Sequence, residues 1–279
     1  MSVSCGNGIP SFFGLNSDRT VVTWGNNDHG ILNIPKDEDG TDMGFTRIST
    51  DGVFYSIGLN TEGEIIFWGL ESNEYREIFD GFSNGRAMQY VDVSTGYSRC
   101  AVLTTEGEII IWNKPSVSVP APAPYIFIPK DENDNKIIIS NVSIGIFFAG
   151  LTPEGKLVTR EIDNEHKNVN IPKISIIEDY YANDNFIKIS AGSSYFLGLK
   201  EDRTVVIWKI FEMREIESPK KEDGSNVEFI DICGDNECFI GLKSNGEIVG
   251  WGDRYPKDLE TPILNVNTGD VSIKSANKN

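Results

Sequence analysis

The chain has 279 residues, with 42 Asp and Glu against 25 Lys and Arg, a formal net charge of −17 and a pI near 4.5. That excess argues against a binder of nucleic acid or anionic membrane, because both need clustered Lys and Arg, and it favours a basic protein surface as partner. A hydrophobic content of 39%, with 10% aromatic residues, excludes disorder as the default state.

No run of 18 apolar residues is present, so no transmembrane helix and no membrane insertion are expected. The opening MSVSCGNGIP lacks the basic head and apolar run of a secretory signal, and SIKSANKN at the other end carries no lipidation box. Cys5, Cys100, Cys233 and Cys238 are too few for a disulfide framework, and Cys5 and Cys233 are expected as small buried strand residues. With two histidines in the whole chain, neither a metal nor a cofactor is expected. These features point to a cytoplasmic protein, expected to act as a monomer.

In chain order, one hairpin returns six times. It is GLNSDRTVVTWG at 14, GLNTEGEIIFWG at 58, VLTTEGEIIIWN at 102, GLTPEGKLVTRE at 150, GLKEDRTVVIWK at 198 and GLKSNGEIVGWG at 241. Ten residues after each opening come Trp24, Trp68, Trp112, Arg160, Trp208 and Trp251, so all five tryptophans share one repeat position. Spacings of 44, 44, 48, 48 and 43 residues are regular enough to mark structural units. The Glu-Gly and Asn-Gly turns supply a glycine for positive φ, whereas Asp18-Arg19-Thr20 and Asp202-Arg203-Thr204 break that rule. Upstream of five hairpins lies a further strand, in TRIST, VDVSTG, SNVSIG, IKISAG and IDICG. Each unit therefore supplies at least three strands and a longer connection, as a four-stranded blade would.

Hairpins that cannot bury both faces alone must stack, and radial stacking covers every face. The expected fold is all-β: a single β-propeller domain over residues 1–279, with six blades and almost no helix. The tail PILNVNTGDVSIKS repeats the upstream strand once more at 266–269. That strand is expected to pair with the first blade and close the ring; a partial seventh blade is the alternative.

The segment WGNNDHGIL at 24–32, following GLNSDRTVV, resembles the regulator of chromosome condensation repeat, with Ile31 in place of Gln and Asn33 in place of the last Gly. The other copies keep the hairpin and lose this tail. The resemblance covers the chain as a repeat and is specific for architecture more than for function. It implies a propeller whose founding member exchanges nucleotide on the small GTPase Ran, while other relatives are adaptors, ubiquitin-ligase modules or inhibitors. In the exchange factor an acidic residue of the first post-strand loop matters for exchange, and Asp28 in Gly25-Asn26-Asn27-Asp28-His29-Gly30 matches it, with Asn27 replacing a Gly. A β-wedge is also implied, and the stiff run Ser116 to Pro124, including Val119, Pro120, Ala121, Pro122 and Ala123, is its candidate; the alternative is a plain connection.

The post-strand loops add a pattern of their own. Asp28, Glu71, Asp163, Glu212 and Asp253 each fall within four residues of the strand end, and on one propeller face they form an acidic ring suited to steering a basic partner. His29 beside Asp28 is counted with that partner-binding face. No phosphate-binding glycine loop and no hydrolase triad spacing is present, so at most nucleotide exchange on a small GTPase is expected. The abundance of Ile, Asn, Lys, Asp and Glu suits an AT-rich genome, and suggests an effector delivered into host cytosol.

Overall fold

The computed structural model describes residues 1–6, 10–70, 72–73, 76–77, 79, 88–96, 99–113, 124–162 and 175–264. Six antiparallel sheets follow one another along these residues. The first holds β1 (Ser2–Cys5), β2 (Ser11–Leu15) and β3 (Val21–Gly25); the second holds β4 (Phe45–Thr50), β5 (Tyr55–Asn60) and β6 (Ile65–Gly69). The third holds β7 (Tyr90–Gly96), β8 (Arg99–Thr104), β9 (Ile109–Asn113) and β10 (Tyr125–Phe127), and the fourth β11 (Asn141–Ile144), β12 (Phe147–Leu151) and β13 (Leu157–Glu161). In the fifth are β14 (Phe186–Ala191), β15 (Tyr195–Lys200), β16 (Val205–Lys209) and β17 (Arg214–Ile216), and in the sixth β18 (Asp231–Asp235), β19 (Cys238–Leu242) and β20 (Ile248–Trp251). One short helix, α1 (Ser175–Tyr180), packs against β13. Among the described residues the expected fourth strand is present in the third and fifth blades. After β3 the chain turns instead, through Gly30 N–H to Asn27 O and Asn33 N–H to Gly30 O, and never returns along the sheet.

The first strand of each blade lies against the first strand of the next, and β18 lies against β1. Six apolar cores fill the junctions. One, for example, joins Phe13 and Leu15 of the first blade to Phe45 and Trp68 of the second. Another joins Ile240, Leu242 and Ile248 of the sixth to Val3, Phe12 and Trp24 of the first. Each such aromatic or branched side chain contributes roughly 1.5–3 kcal/mol on burial, so the junctions, more than the hydrogen-bonded sheets, hold the blades together.

The glycine that opens the hairpin has a packing cause. A Cβ on Gly58, Gly198 or Gly241 would lie 2.4, 2.3 or 2.4 Å from the rings of Phe45, Phe186 or Phe229. Each of those phenylalanines stands at or just before the blade's first strand, and its N–H donates to the turn of the preceding hairpin: to Arg19 O, Gly155 O and Arg203 O at 3.0, 2.8 and 3.1 Å. In the first blade Leu264 takes this place. Its N–H reaches Gly246 O at 2.9 Å, and its side chain packs where a Cβ on Gly14 would stand. The C-terminal segment thus joins the last hairpin to the first blade, while residues 266–269, expected as a closing strand, lie outside the described residues.

The two Asp-Arg-Thr turns adopt the glycine conformation after all: Arg19 and Arg203 have φ of 74° and 67°. Each is held by an aspartate clasp, in which Asp18 Oδ1 accepts the Thr20 N–H and hydroxyl at 3.0 and 2.6 Å and Asp202 Oδ1 those of Thr204 at 2.9 and 2.6 Å. The same clasp recurs at Asp39–Thr41 and Asp223–Ser225, with glycine between.

The inner strands carry two polar rings. Ser2, Arg47, Asp92, Asn141, Lys188 and Asp231 occupy one register position, and Ser4, Ser49, Ser94, Ser143, Ser190 and Cys233 the position two residues on. Neighbouring inner strands share no backbone ladder, so side chains join them instead. Ser49, Ser94, Ser143 and Ser190 Oγ accept the N–H groups of Thr95, Ile144, Ala191 and Gly234 in the next blade, at 2.9, 3.0, 2.7 and 3.4 Å. Asp92 and Asp231 do the same for Val142 and Val3, at 2.9 and 2.8 Å. Arg47 pairs with Asp92 at 3.3 Å and Lys188 with Asp231 at 3.6 Å, so cation, carboxylate and neutral polar residue recur twice around the ring.

Candidate partner-binding face

Strands alternate in direction within each blade, so the ends of the third strands and the loops after the first strands emerge together on one face. Asp28, His29, Glu212 and Asp253 sit in these post-strand segments. Glu71, Asp163 and the run Val119, Pro120, Ala121, Pro122 and Ala123 lie outside the described residues.

The loop carrying Asp28 is built from the end of β3. Gly25 turns with φ 99°, and a Cβ there would lie 2.2 Å from Pro10 O. Asn26 N–H then donates to Pro10 O at 2.8 Å, and Asn27 Oδ1 accepts the Leu32 N–H at 2.8 Å. Asn27 Nδ2 donates to Asn33 Oδ1 at 2.8 Å. Ile31 and Leu32 are buried in the junction to the second blade, where Trp68 Nε1 donates to Ile31 O at 2.7 Å. The physical meaning of the Gly-Ile-Leu tail follows: it offers a carbonyl to the tryptophan of the next blade. Among the described residues, Nε1 of Trp24, Trp112, Trp208 and Trp251 is buried with no hydrogen-bond partner.

Fixed at both ends, the loop presents Asp28 to solvent. Its Oδ2 accepts from Asn26 Nδ2 at 2.8 Å, and its N–H donates to Asn26 Oδ1 at 3.0 Å. His29 is half-buried against Phe54, with ring centroids 5.3 Å apart. Asp253 is exposed in the turn after β20, whose next residue donates Arg254 N–H to Glu237 O at 2.9 Å.

Glu212, at the tip between β16 and β17, stands in a different environment. Lys209 Nζ lies 2.5 Å from its Oε1 and Arg214 Nη2 2.7 Å from its Oε2. Those two donors hold its carboxyl below the usual range, Lys209 more strongly, and the carboxylate in turn raises Lys209. Nearby, burial pushes the Tyr195 phenol up to about 12, helped by its hydrogen bond to Glu237 at 2.8 Å. The fifth blade therefore offers a neutralised cluster at the place where a free carboxylate is expected, and of the expected acidic ring Asp28 and Asp253 are the exposed, unpaired-by-cation members among the described residues.

The inner-strand rings are what the sequence reading passes over, although their signal is visible. Aligning TRIST, VDVST, SNVSI, IKISA and IDICG places the charged or amide residue before the apolar one and the serine or cysteine after it. Among the described residues no group of three or more His, Cys, Asp or Glu has the geometry to hold a metal. Nor is any described helix long and apolar enough to cross a membrane.

No family model matches the chain. It is 24% identical to the human E3 ubiquitin-protein ligase HERC2 over 131 residues, 40% of this chain and 3% of the ligase. The chain thus spans a small fraction of the curated relatives it matches. Among solved structures, the ectodomain of the Arabidopsis thaliana receptor kinase ACR4 superposes with a TM-score of 0.55 at 18% identity, over 92% of this chain and 96% of that one. Prp20p of Saccharomyces cerevisiae, whose structure is described with its binding to Gsp1p and histones, gives 0.51 at 15% identity over 90% and 71%. These likenesses and the six successive blades define a β-propeller. Prp20p is the yeast RCC1, so the chain is similar in fold to the RCC1 propeller, the architecture that the Trp24-Gly25-Asn26-Asn27 segment leads one to expect.

Proposed function

We propose that this propeller binds a small GTPase, of the Ran type or a relative, and speeds release of its nucleotide through the first-blade loop. The observation that carries the reading is that this loop alone keeps the repeat's tail, pinned at Ile31 and Leu32, with Asp28 exposed at its tip. Exchange needs no covalent chemistry. The propeller would bind the nucleotide-free GTPase better than the loaded form and so shift the population toward it. Asp28 would compete for the lysine of the phosphate loop or for the magnesium environment, with His29 next to it and Asp253 on the same face, and Glu71 and Asp163 would add to the acidic partner-binding set. The run Ser116 to Pro124 would act as the wedge.

A second reading is an adaptor or inhibitor using the same face without exchange. It is favoured by the cluster at Glu212, where Lys209 and Arg214 break the single sign of the rim and make it a surface for mixed-charge contact. Release of a fluorescent GDP analogue from a panel of small GTPases, with wild type and Asp28→Ala, separates the two. Acceleration that is lost in the variant supports exchange. Stable binding to one GTPase with no acceleration refutes exchange and supports the adaptor.

A further inference from the structure

The four junctions between inner strands from the second blade to the sixth are each stapled by a serine hydroxyl. In the sixth blade Cys233 takes the serine's register position, and across the junction to the first blade the residue facing it is Cys5. The corresponding pair in the second and third blades is Ser49 and Thr95, whose side-chain oxygens are 3.0 Å apart. Cys233 and Cys5 share one core, which also holds Cys238. All four cysteines are free thiols, and the fourth, Cys100, lies elsewhere, donating to Tyr55 Oη at 3.4 Å. Two facing thiols therefore replace hydroxyls only where the first and last blades meet.

We propose that Cys5 and Cys233 are a reversible disulfide pair that locks the last blade to the first. A disulfide needs facing Cα atoms about 4.4–6.8 Å apart and sulfurs at about 2.05 Å. β1 and β18 are adjacent inner strands that place the two cysteines at facing register positions in one core, the arrangement such a bond requires. Cys5 is the more accessible, half-buried beside buried Cys233, so it is the thiol that meets an oxidant first. With a small-molecule disulfide such as oxidised glutathione, the Cys5 thiolate attacks one sulfur and expels one glutathione thiolate, leaving a mixed disulfide. The Cys233 thiolate then attacks Cys5 sulfur and expels the second. Two protein thiols lose two electrons, one glutathione disulfide gains them, and the two protons end on the two released glutathiones.

Burial holds the Cys233 thiol protonated well above its ordinary range, so the second step waits on loss of its proton inside the junction. Slow closure and slow reopening follow. The cross-link spans nearly the whole chain, so it restricts the unfolded ensemble strongly.

The test equilibrates the full chain in glutathione buffers of graded poise, maps disulfides by peptide mass spectrometry and follows Tm. A Cys5–Cys233 linkage is expected, with Tm higher by about 10 °C in the oxidised protein. Cys233→Ser restores the residue of the other inner strands and Cys5→Thr that of the third, so both variants are expected to fold and to lose the redox-dependent shift. Cys238→Ser should keep it. A Cys5–Cys238 linkage, only intermolecular linkages, or a shift that survives in Cys233→Ser would overturn the proposal.

Discussion

Replacing Asp231 by Ala removes the side chain that joins β18 to β1. Asp231 is 3% exposed; its Oδ2 accepts the Val3 N–H at 2.8 Å, and its Oδ1 lies 3.6 Å from Lys188 Nζ. The substitution strands the Val3 N–H in a buried strand, which costs about 1–3 kcal/mol. It also strips Lys188 of its nearest carboxylate. Breaking a fully buried pair costs roughly 3–5 kcal/mol, but the Lys188 side chain is 28% exposed and retains part of its hydration. We expect a loss of about 3 kcal/mol in all, and a fall in Tm of about 8 °C for a chain of this size. Asp231→Asn keeps an acceptor for Val3 and loses only the charge, so its loss should be about 1 kcal/mol. The decisive assay is amide hydrogen exchange on β1 alongside thermal unfolding under reducing conditions. Protection of Val3 should fall in Asp231→Ala at least as far as global stability does. A Tm within about 2 °C of wild type, or unchanged protection of β1, would refute the idea that this carboxylate holds the first blade to the last.

Three further outcomes follow from particular contacts. Trp68→Phe should cost about 1 kcal/mol more than Trp112→Phe in urea unfolding, because Trp68 Nε1 loses Ile31 O while Trp112 Nε1 has no partner to lose. Arg203→Gly should stabilise by about 1 kcal/mol, since Arg203 sits at φ 67° and glycine adopts that conformation without strain; a loss of stability would show that the arginine side chain matters more than its backbone. Acid should destabilise the fold. Asp18 and Asp202 are lowered first by the hydroxyls of Thr20 and Thr204, and Asp39 and Asp223 by those of Thr41 and Ser225. Stability from a lowered carboxylate is present above its unfolded value and lost as pH falls through the folded one, so Tm should drop below about pH 4. Asp92, raised by burial, works the other way, its contribution growing as pH falls. Asp92→Asn should therefore steepen the acid fall, and a shallower one would contradict the assignment.

The repeat, the hairpins and the six-blade count were legible because each rests on local chemistry. A turn must bend, a β-branched run prefers a pleated surface, and a position spaced every 43 to 48 residues, tryptophan in all units but the fourth, marks one place in each unit. The post-strand position of Asp28, His29, Glu212 and Asp253 was legible for the same reason, since it counts residues from a strand end. The state of those side chains was not. Lys209 and Arg214 stand within three residues of Glu212, yet only the turn between β16 and β17 brings both onto its carboxylate, while the exposed Asp28 is tied to Asn26. In the first blade the described residues after β3 form local turns in place of a fourth strand, and sequence patterning does not decide between such partners.

By itself the sequence determined what depends on neighbours along the chain: six hairpins, their turn residues, and the first-blade loop with its tail. Tertiary structure alone decided what depends on neighbours in space. It selected Leu264 to stand in the first blade where Phe45 stands in the second, and set a carboxylate and a pair of thiols at the junction of β18 with β1. The reason is that inner strands of adjacent blades share no backbone ladder, so their joining falls to side chains far apart in the chain, brought together only when every blade has taken its place.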